Sequence, residues 1–137
     1  MAINVRRVSY FHTAVQDRPG EAYKLLSQLA GFGINLHAMT AIPMGPLRTQ
    51  LTLFPEDVSR MESEGKRAGL SLDGPYPALL IQGDDELGAL VGVHEQLYQA
   101  NVNVVAATGV ADGKGRYGYV LYFRPEDFDR AAAALDV

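Results

Sequence analysis

Residues 16–35, QDRPGEAYKLLSQLAGFGIN, lie over residues 84–103, DDELGALVGVHEQLYQANVN, at a constant offset of 68. Arg18-Pro19-Gly20 falls on Glu86-Leu87-Gly88, Gln28-Leu29 on Gln96-Leu97, and Asn35 on Asn103. The register continues through Ala38 over Ala106 and Thr40 over Thr108, and Pro55-Glu56-Asp57 then matches Pro125-Glu126-Asp127 at an offset of 70. Two residues have been added near Lys114-Gly115, where a turn tolerates them. An ordered set of matches with one short insertion is an internal repeat, and it governs how each element is read.

Each half carries the same string of elements. Residues 8–15 and 78–82 are short β-prone or apolar runs, the second almost unbroken as in a buried central strand. A helix follows in both: Ala22, Leu25, Leu26 and Leu29 recur at helical spacing, as do Leu87, Leu90, Val91, His94, Leu97 and Tyr98. Asp17 is placed to cap the first helix, Pro19 sits in its first turn, and Gly31 or Gly33 can end it. Two further strands, 34–42 and 47–54, are joined by Pro43-Met44-Gly45-Pro46; their counterparts, 102–111 and 117–123, are joined through Asp112-Gly113-Lys114-Gly115. The Pro-Glu-Asp triplets open second helices, with Val58, Met61 and Ala68 expected inward in one copy and Phe128, Ala131, Ala132 and Leu135 in the other. Residues 70–72 read as a short fourth strand and 73–77 as a linker. The expectation is an α+β chain of two ferredoxin-like βαββαβ units with antiparallel sheets and helices on one face. Unit one spans 1–73 and unit two 74–137, whose fourth strand is short or absent.

The loop Asp17-Arg18-Pro19-Gly20, with Gly33-Ile34-Asn35-Leu36 after the helix, resembles the signature of the ACT domain family, here as a tandem of two copies. The second copy is degraded, since Glu86 stands for the basic residue and Leu87 for proline. The resemblance implies a regulatory protein, not an enzyme, that binds an amino acid or related ligand where the first loop of one unit meets the second strand of its partner. It points to Asp17, Arg18, Pro19, Gly20 and Asn35, and in the second copy to Asp85, Leu87, Gly88 and Asn103. It also implies a regulated enzyme or regulator as partner. The chemistry of these residue types fits an α-amino acid: Asp17 accepts from an ammonium, and Arg18 with a helix N-terminus receives a carboxylate. Gly20 lets a ligand approach the backbone, and Asn35 both donates and accepts. Asp84-Asp85-Glu86 presents three carboxylates and no cation, so the second copy is expected to bind a zwitterion less well.

Composition narrows the rest. The chain has 137 residues, 47% hydrophobic and 20% charged, with a formal net charge of −4 and no cysteine. Acidity argues against nucleic-acid and anionic-membrane partners, and the absence of thiols suits a cytoplasmic location. Three scattered histidines, His12, His37 and His94, give no metal-ligand spacing, and no cofactor motif stands out, so neither is expected. Two other functions compete with sensing. The residues Tyr117-Gly118-Tyr119-Val120-Leu121-Tyr122 match the tail of an RNA-stacking motif. A ligand-free docking module needs only a sticky face, and Tyr117, Tyr119, Leu121 and Phe123 on one side of a strand would supply it. That stripe is also the ground for expecting a homo-oligomer, a dimer above all.

Overall fold

The computed structural model describes residues 3–137. In chain order they form β1 (Ile3–Gln16), α1 (Glu21–Gly31), β2 (Leu36–Pro43), β3 (Arg48–Pro55), α2 (Val58–Arg67), β4 (Asp73–Asp84), α3 (Val91–Gln99), β5 (Ala106–Ala111), β6 (Arg116–Tyr122) and α4 (Phe128–Ala134), the last entered through a 3-10 turn at Pro125–Asp127. The ladders β1–β3, β2–β3, β4–β6 and β5–β6 are all antiparallel. The α+β class with antiparallel strands holds.

The chain folds as two units: Ser9–Tyr76, and Pro77–Val137 together with the stretch up to Val8. In the first, strands run in the order β2-β3-β1-β4, so β3 separates β1 from β2 as a split βαβ requires. Leu51 and Leu53 of β3 and Phe11 of β1 point to one face, because alternate residues of a strand share a side. Leu25 and Leu29, one turn apart on α1, cover them with Met61 of α2. Helix α2 buries Met61 and Gly65, not the expected Ala68, which is exposed. A Cβ at Gly65 would stand 2.6 Å from Leu72 Cδ1, so the missing side chain is what lets Leu72 close over the helix. Asp57 caps α2, its carboxylate accepting from the Arg60 N–H at 3.0 Å.

In the other unit the order is β1-β4-β6-β5. Ile3 and Val5 belong here: Arg6 Nη2 donates to Gln82 Oε1 at 3.1 Å, and Arg7 reaches the Val137 carbonyl at 3.1 Å. The N-terminal half of β1 therefore stands where the fourth strand of this unit was expected to be short or absent. Residues 73–77, read as a linker, are instead the opening of the unbroken strand β4, and residues 70–72 form no strand but lend Leu70 and Leu72 to the first core.

Three further expectations change. Helix α3 starts at Val91, not near Leu87, and its inward residues are Val93 and Leu97 at i and i+4; Leu87, Val91 and Tyr98 are exposed. Helix α1 is entered through Gly20 at φ 90° with no side-chain cap, so Asp17 is not its cap. Most consequentially, Tyr117, Leu121 and Phe123 are buried against α3 and α4 with Phe128, Ala131 and Leu135. The aromatic stripe is this unit's own core. It is not a free face, it cannot serve as a stacking platform for bases, and it gives no ground for an oligomer.

Candidate functional site

In the Ser9–Tyr76 unit, β1 ends at Gln16, which pairs with Arg48 at the start of β3. The Asp17 N–H donates to the Leu47 carbonyl at 2.9 Å, and this bond fixes the loop's departure from the sheet. Gly20 then adopts the left-handed conformation that glycine enters without steric cost, and turns the chain into α1. An open cleft of about 710 Å³ results, lined by Ala14, Gln16, Asp17, Arg18, Leu47 and Arg48. Arg18 is not wholly available to it, since its guanidinium pairs with Glu21 at 3.3 Å. Burial alone would raise the Glu21 carboxyl, but the hydrogen bonds and charges of Lys24 and Arg18 outweigh that and hold it below its ordinary range. Among the described residues, neither the Asp17 carboxylate nor the Arg48 guanidinium has a side-chain partner. One unpaired charge of each sign therefore faces the same cleft.

Arg48 was invisible to motif reading because it lies thirty positions beyond Arg18. The topology could have found it: antiparallel pairing of β1 with β3 puts the first residue of β3 beside the end of β1.

Asn35 lies elsewhere. It precedes β2, whose Leu36 pairs with Pro55 at the far end of β3, and its Nδ2 donates to Glu56 Oε1 at 3.0 Å. From Arg48 to Pro55 the strand rises by roughly 23 Å, so one small ligand cannot touch both Asp17 and Asn35 within this unit.

The second unit repeats the arrangement with different chemistry. Asp84 ends β4 opposite Arg116, and the two form an ion pair at 2.8 Å. β6 thus places a cation beside the loop, and Asp84 pairs with it. Asp85 and Glu86 remain exposed and unpaired among the described residues. Gly88, at φ 71°, turns the chain toward α3, and the Leu87 side chain stands fully in solvent. A cleft of about 520 Å³ opens between this loop and the β5–β6 hairpin, lined by Asp85, Glu86, Leu90, Val110, Tyr117 and Tyr119, among others. Burial pushes both phenols above their ordinary value. His94 Nε2 lies 2.8 Å from the Tyr119 hydroxyl. Asn103 is again at the opposite end, before β5, in a separate cleft with His94 and Tyr98.

No family model matches the sequence, and no curated protein does. Solved structures do. A protein of Bacteroides thetaiotaomicron superposes on 96% of this chain and 88% of its own, with a TM-score of 0.80 and 17% identity. The ligand-free regulatory subunit of aspartate kinase from Thermus thermophilus covers 98% of this chain and 94% of its own, at a TM-score of 0.59 and 15% identity. The corresponding Thermus flavus subunit gives the same coverages, with a TM-score of 0.54 and 18% identity. At such identities the likeness is one of fold. The chain has the α+β architecture of these regulatory subunits, as the ACT-type signature around Asp17 implied. Among the described residues, no helix is long and apolar enough to cross a membrane.

Proposed function

We propose that this protein is a regulatory sensor, not an enzyme, and that it binds an amino acid or a similar zwitterion in the cleft at Asp17, Arg18, Pro19 and Gly20. The observation that carries this reading is the pair of unpartnered charges, Asp17 and Arg48, on one cleft beside an uncapped helix entrance. A zwitterion satisfies both at once, whereas a lone cation or anion leaves one of them unmatched. The fold it shares with regulatory subunits of aspartate kinase supports a role in controlling another protein. Asn35 and Asn103 sit at the far ends of their units, so they would join such a site only if a second copy of the chain carried them to it. A homodimer is therefore part of the proposal.

The test is a thermal-shift screen of the twenty amino acids, followed by calorimetric titration of the best ligand. A ligand that binds only the folded state raises the melting temperature. Asp17→Asn and Arg48→Gln should each weaken binding by about tenfold, equivalent to ~1.4 kcal/mol. If no amino acid shifts the melting point, sensing fails and a docking module stands. Ile42, Met44 and Leu47, all exposed on and beside the β2–β3 hairpin, favour that second reading.

A further inference from the structure

β2 ends the strand order of one unit and β5 that of the other, so each keeps one edge with no strand beside it. Natural sheets blunt such edges with a proline, a bulge or a charge. β2 has Pro43 and a shift of register between Leu36 and Ala38. β5, Ala106-Ala107-Thr108-Gly109-Val110-Ala111, has no proline, no charge and no shift of register, and every residue in it is exposed. The Asp112 N–H donates to the Arg116 carbonyl at 2.9 Å, which sets the phase of the β5–β6 ladder. Bonded pairs recur at every second residue, so Thr108 and Val110 turn their N–H and C=O toward β6. Ala107, Gly109 and Ala111 turn theirs outward, and among the described residues no loop bonds to them.

Those three residues also face the helices, because they pair with Leu121, Tyr119 and Tyr117 on the core side of β6. Two are alanine and one is glycine, so a groove is left between the β5 edge and α3. The Tyr119 ring lies across Gly109, where a Cβ would stand 2.8 Å from Tyr119 Cδ1, and its hydroxyl meets His94 Nε2 at 2.8 Å. This bar divides the groove into two open clefts. One, about 520 Å³, lies at Ala111 with Leu90 and Val91; the other, about 570 Å³, lies at Ala107 with Leu97, Tyr98 and Asn103. From Ala107 to Ala111 the strand rises by roughly 13 Å, the spacing of side chains i and i+4 on one face of an added strand.

We propose that β5 takes up an extended segment of another protein as an added antiparallel strand. The segment carries large apolar side chains at i and i+4, a small residue midway, and a lysine or arginine toward its N-terminal end. The outward N–H and C=O groups supply the backbone bonds, and the two clefts receive the apolar side chains. In antiparallel pairing the guest's N-terminal end lies by Ala111. There Asp84, Asp85, Glu86 and Asp112 outnumber Lys114 and Arg116, whereas the lining at the other end holds no acid. A second copy of β5 is a poor guest: it would offer Ala107, Gly109 and Ala111 again and leave both clefts empty. The docking stands with or without an amino acid at Asp17, and it gives a chemistry to the partner of the proposed regulatory role.

The probe is acetyl-Lys-Thr-Leu-Thr-Ala-Thr-Leu-Thr-amide, whose alanine falls opposite Gly109. It is titrated calorimetrically into the full chain in buffer free of amino acids, so failure of the zwitterion reading leaves the result untouched. N-methylating that alanine, whose N–H would donate to β5, should weaken binding at least about tenfold. N-methylating the threonine before it, whose N–H faces away, should cost less than about threefold. Exchanging the lysine for glutamate should weaken the probe about tenfold, and Asp85→Asn with Glu86→Gln should erase that difference. Ala107→Pro removes only an outward N–H, so it should keep the melting temperature and lose the probe; the N-methylated pair reads the same contact with the protein unaltered. The proposal is overturned if the probe does not bind, if the two N-methylated peptides bind alike, or if the glutamate peptide binds as the lysine one does. It is overturned too if sedimentation shows a dimer that Ala107→Pro splits, which would give the β5 edge to a second copy.

Discussion

Replacing Phe123 with alanine decides which way the aromatic stripe of the second unit faces. In the structure the ring is 9% exposed, packs in the core with Leu121, Ala131 and Leu135, and meets Phe128 edge-on with centroids 6.5 Å apart. Truncating a buried phenylalanine costs about 3–5 kcal/mol through lost transfer energy and the cavity left behind. The slight exposure moves the figure down, and the lost pair with Phe128, worth about 0.5–1.5 kcal/mol, moves it up. The expected loss is about 3.5 kcal/mol. With a urea slope of about 2 kcal/mol/M, the unfolding midpoint should fall by roughly 1.7 M. Val110→Ala, at a β5 position left 72% exposed, is the control and should stay within about 0.5 kcal/mol. Were the stripe an intermolecular face, Phe123→Ala would instead lower the sedimentation coefficient and leave the midpoint of the dilute protein within about 0.5 M. That outcome would refute the inward assignment.

Three further outcomes follow from the geometry. Gly74→Ala should destabilise by about 2 kcal/mol or more in the same urea assay, because the residue sits at φ 144° and a Cβ would lie 2.7 Å from the Tyr10 carbonyl oxygen, a backbone atom that cannot step aside. Asp57→Ala should cost about 1 kcal/mol by uncapping α2, whereas Asp17→Ala should leave stability nearly unchanged, since Asp17 caps nothing. Raising the pH should weaken the fold through the phenols. Burial raises Tyr117 and Tyr119 above their ordinary 10.0, so the folded protein holds protons that the unfolded chain gives up. Their contribution is whole below pH 10 and is lost as pH climbs past it; urea midpoints measured across that range should fall, and fall less in Tyr117→Phe.

Where local pattern and tertiary packing agreed, the sequence was legible. Leu25 and Leu29 on α1, and Phe128, Ala131 and Ala132 on α4, all face the cores that their periodicity indicated. The third strand's place between the first two followed from the fold type. Periodicity failed at α3 because apolar Leu87, Val91 and Tyr98 satisfy a helical period while facing solvent, so the stripe was drawn along the wrong face. The side of β6 that meets the helices could not be read either. Leu80 and Val120, on the side away from the helices, are also buried, so both faces look apolar in one dimension. As for the clefts, the loops bearing Asp17 and Asp85 were legible as turns. The charges that complete or neutralise them, Arg48 and Arg116, come from pairings thirty or more residues away and needed the strand register. Asn35 and Asn103 were grouped with these loops by the family resemblance, and the register sets them at the other ends of their sheets.

That β1 and β4 each supply a half-strand to both units has a consequence for synthesis. The Ser9–Tyr76 unit has every strand it needs once Tyr76 has left the ribosome. Residues 3–8 are in a different position, because their partners are made much later: Arg6 finds Gln82 across 76 residues, and Arg7 finds Val137 across 130. Until then that segment is an unpaired strand edge, free to pair with the wrong chain. Its sequence, Ile3-Asn4-Val5-Arg6-Arg7-Val8, sets two adjacent arginines among the β-formers, and two like charges on an edge oppose pairing with another copy of itself. The same arginines later hold Gln82 and the Val137 carbonyl, so residues that guard the strand while it waits are those that fasten it when its partners arrive.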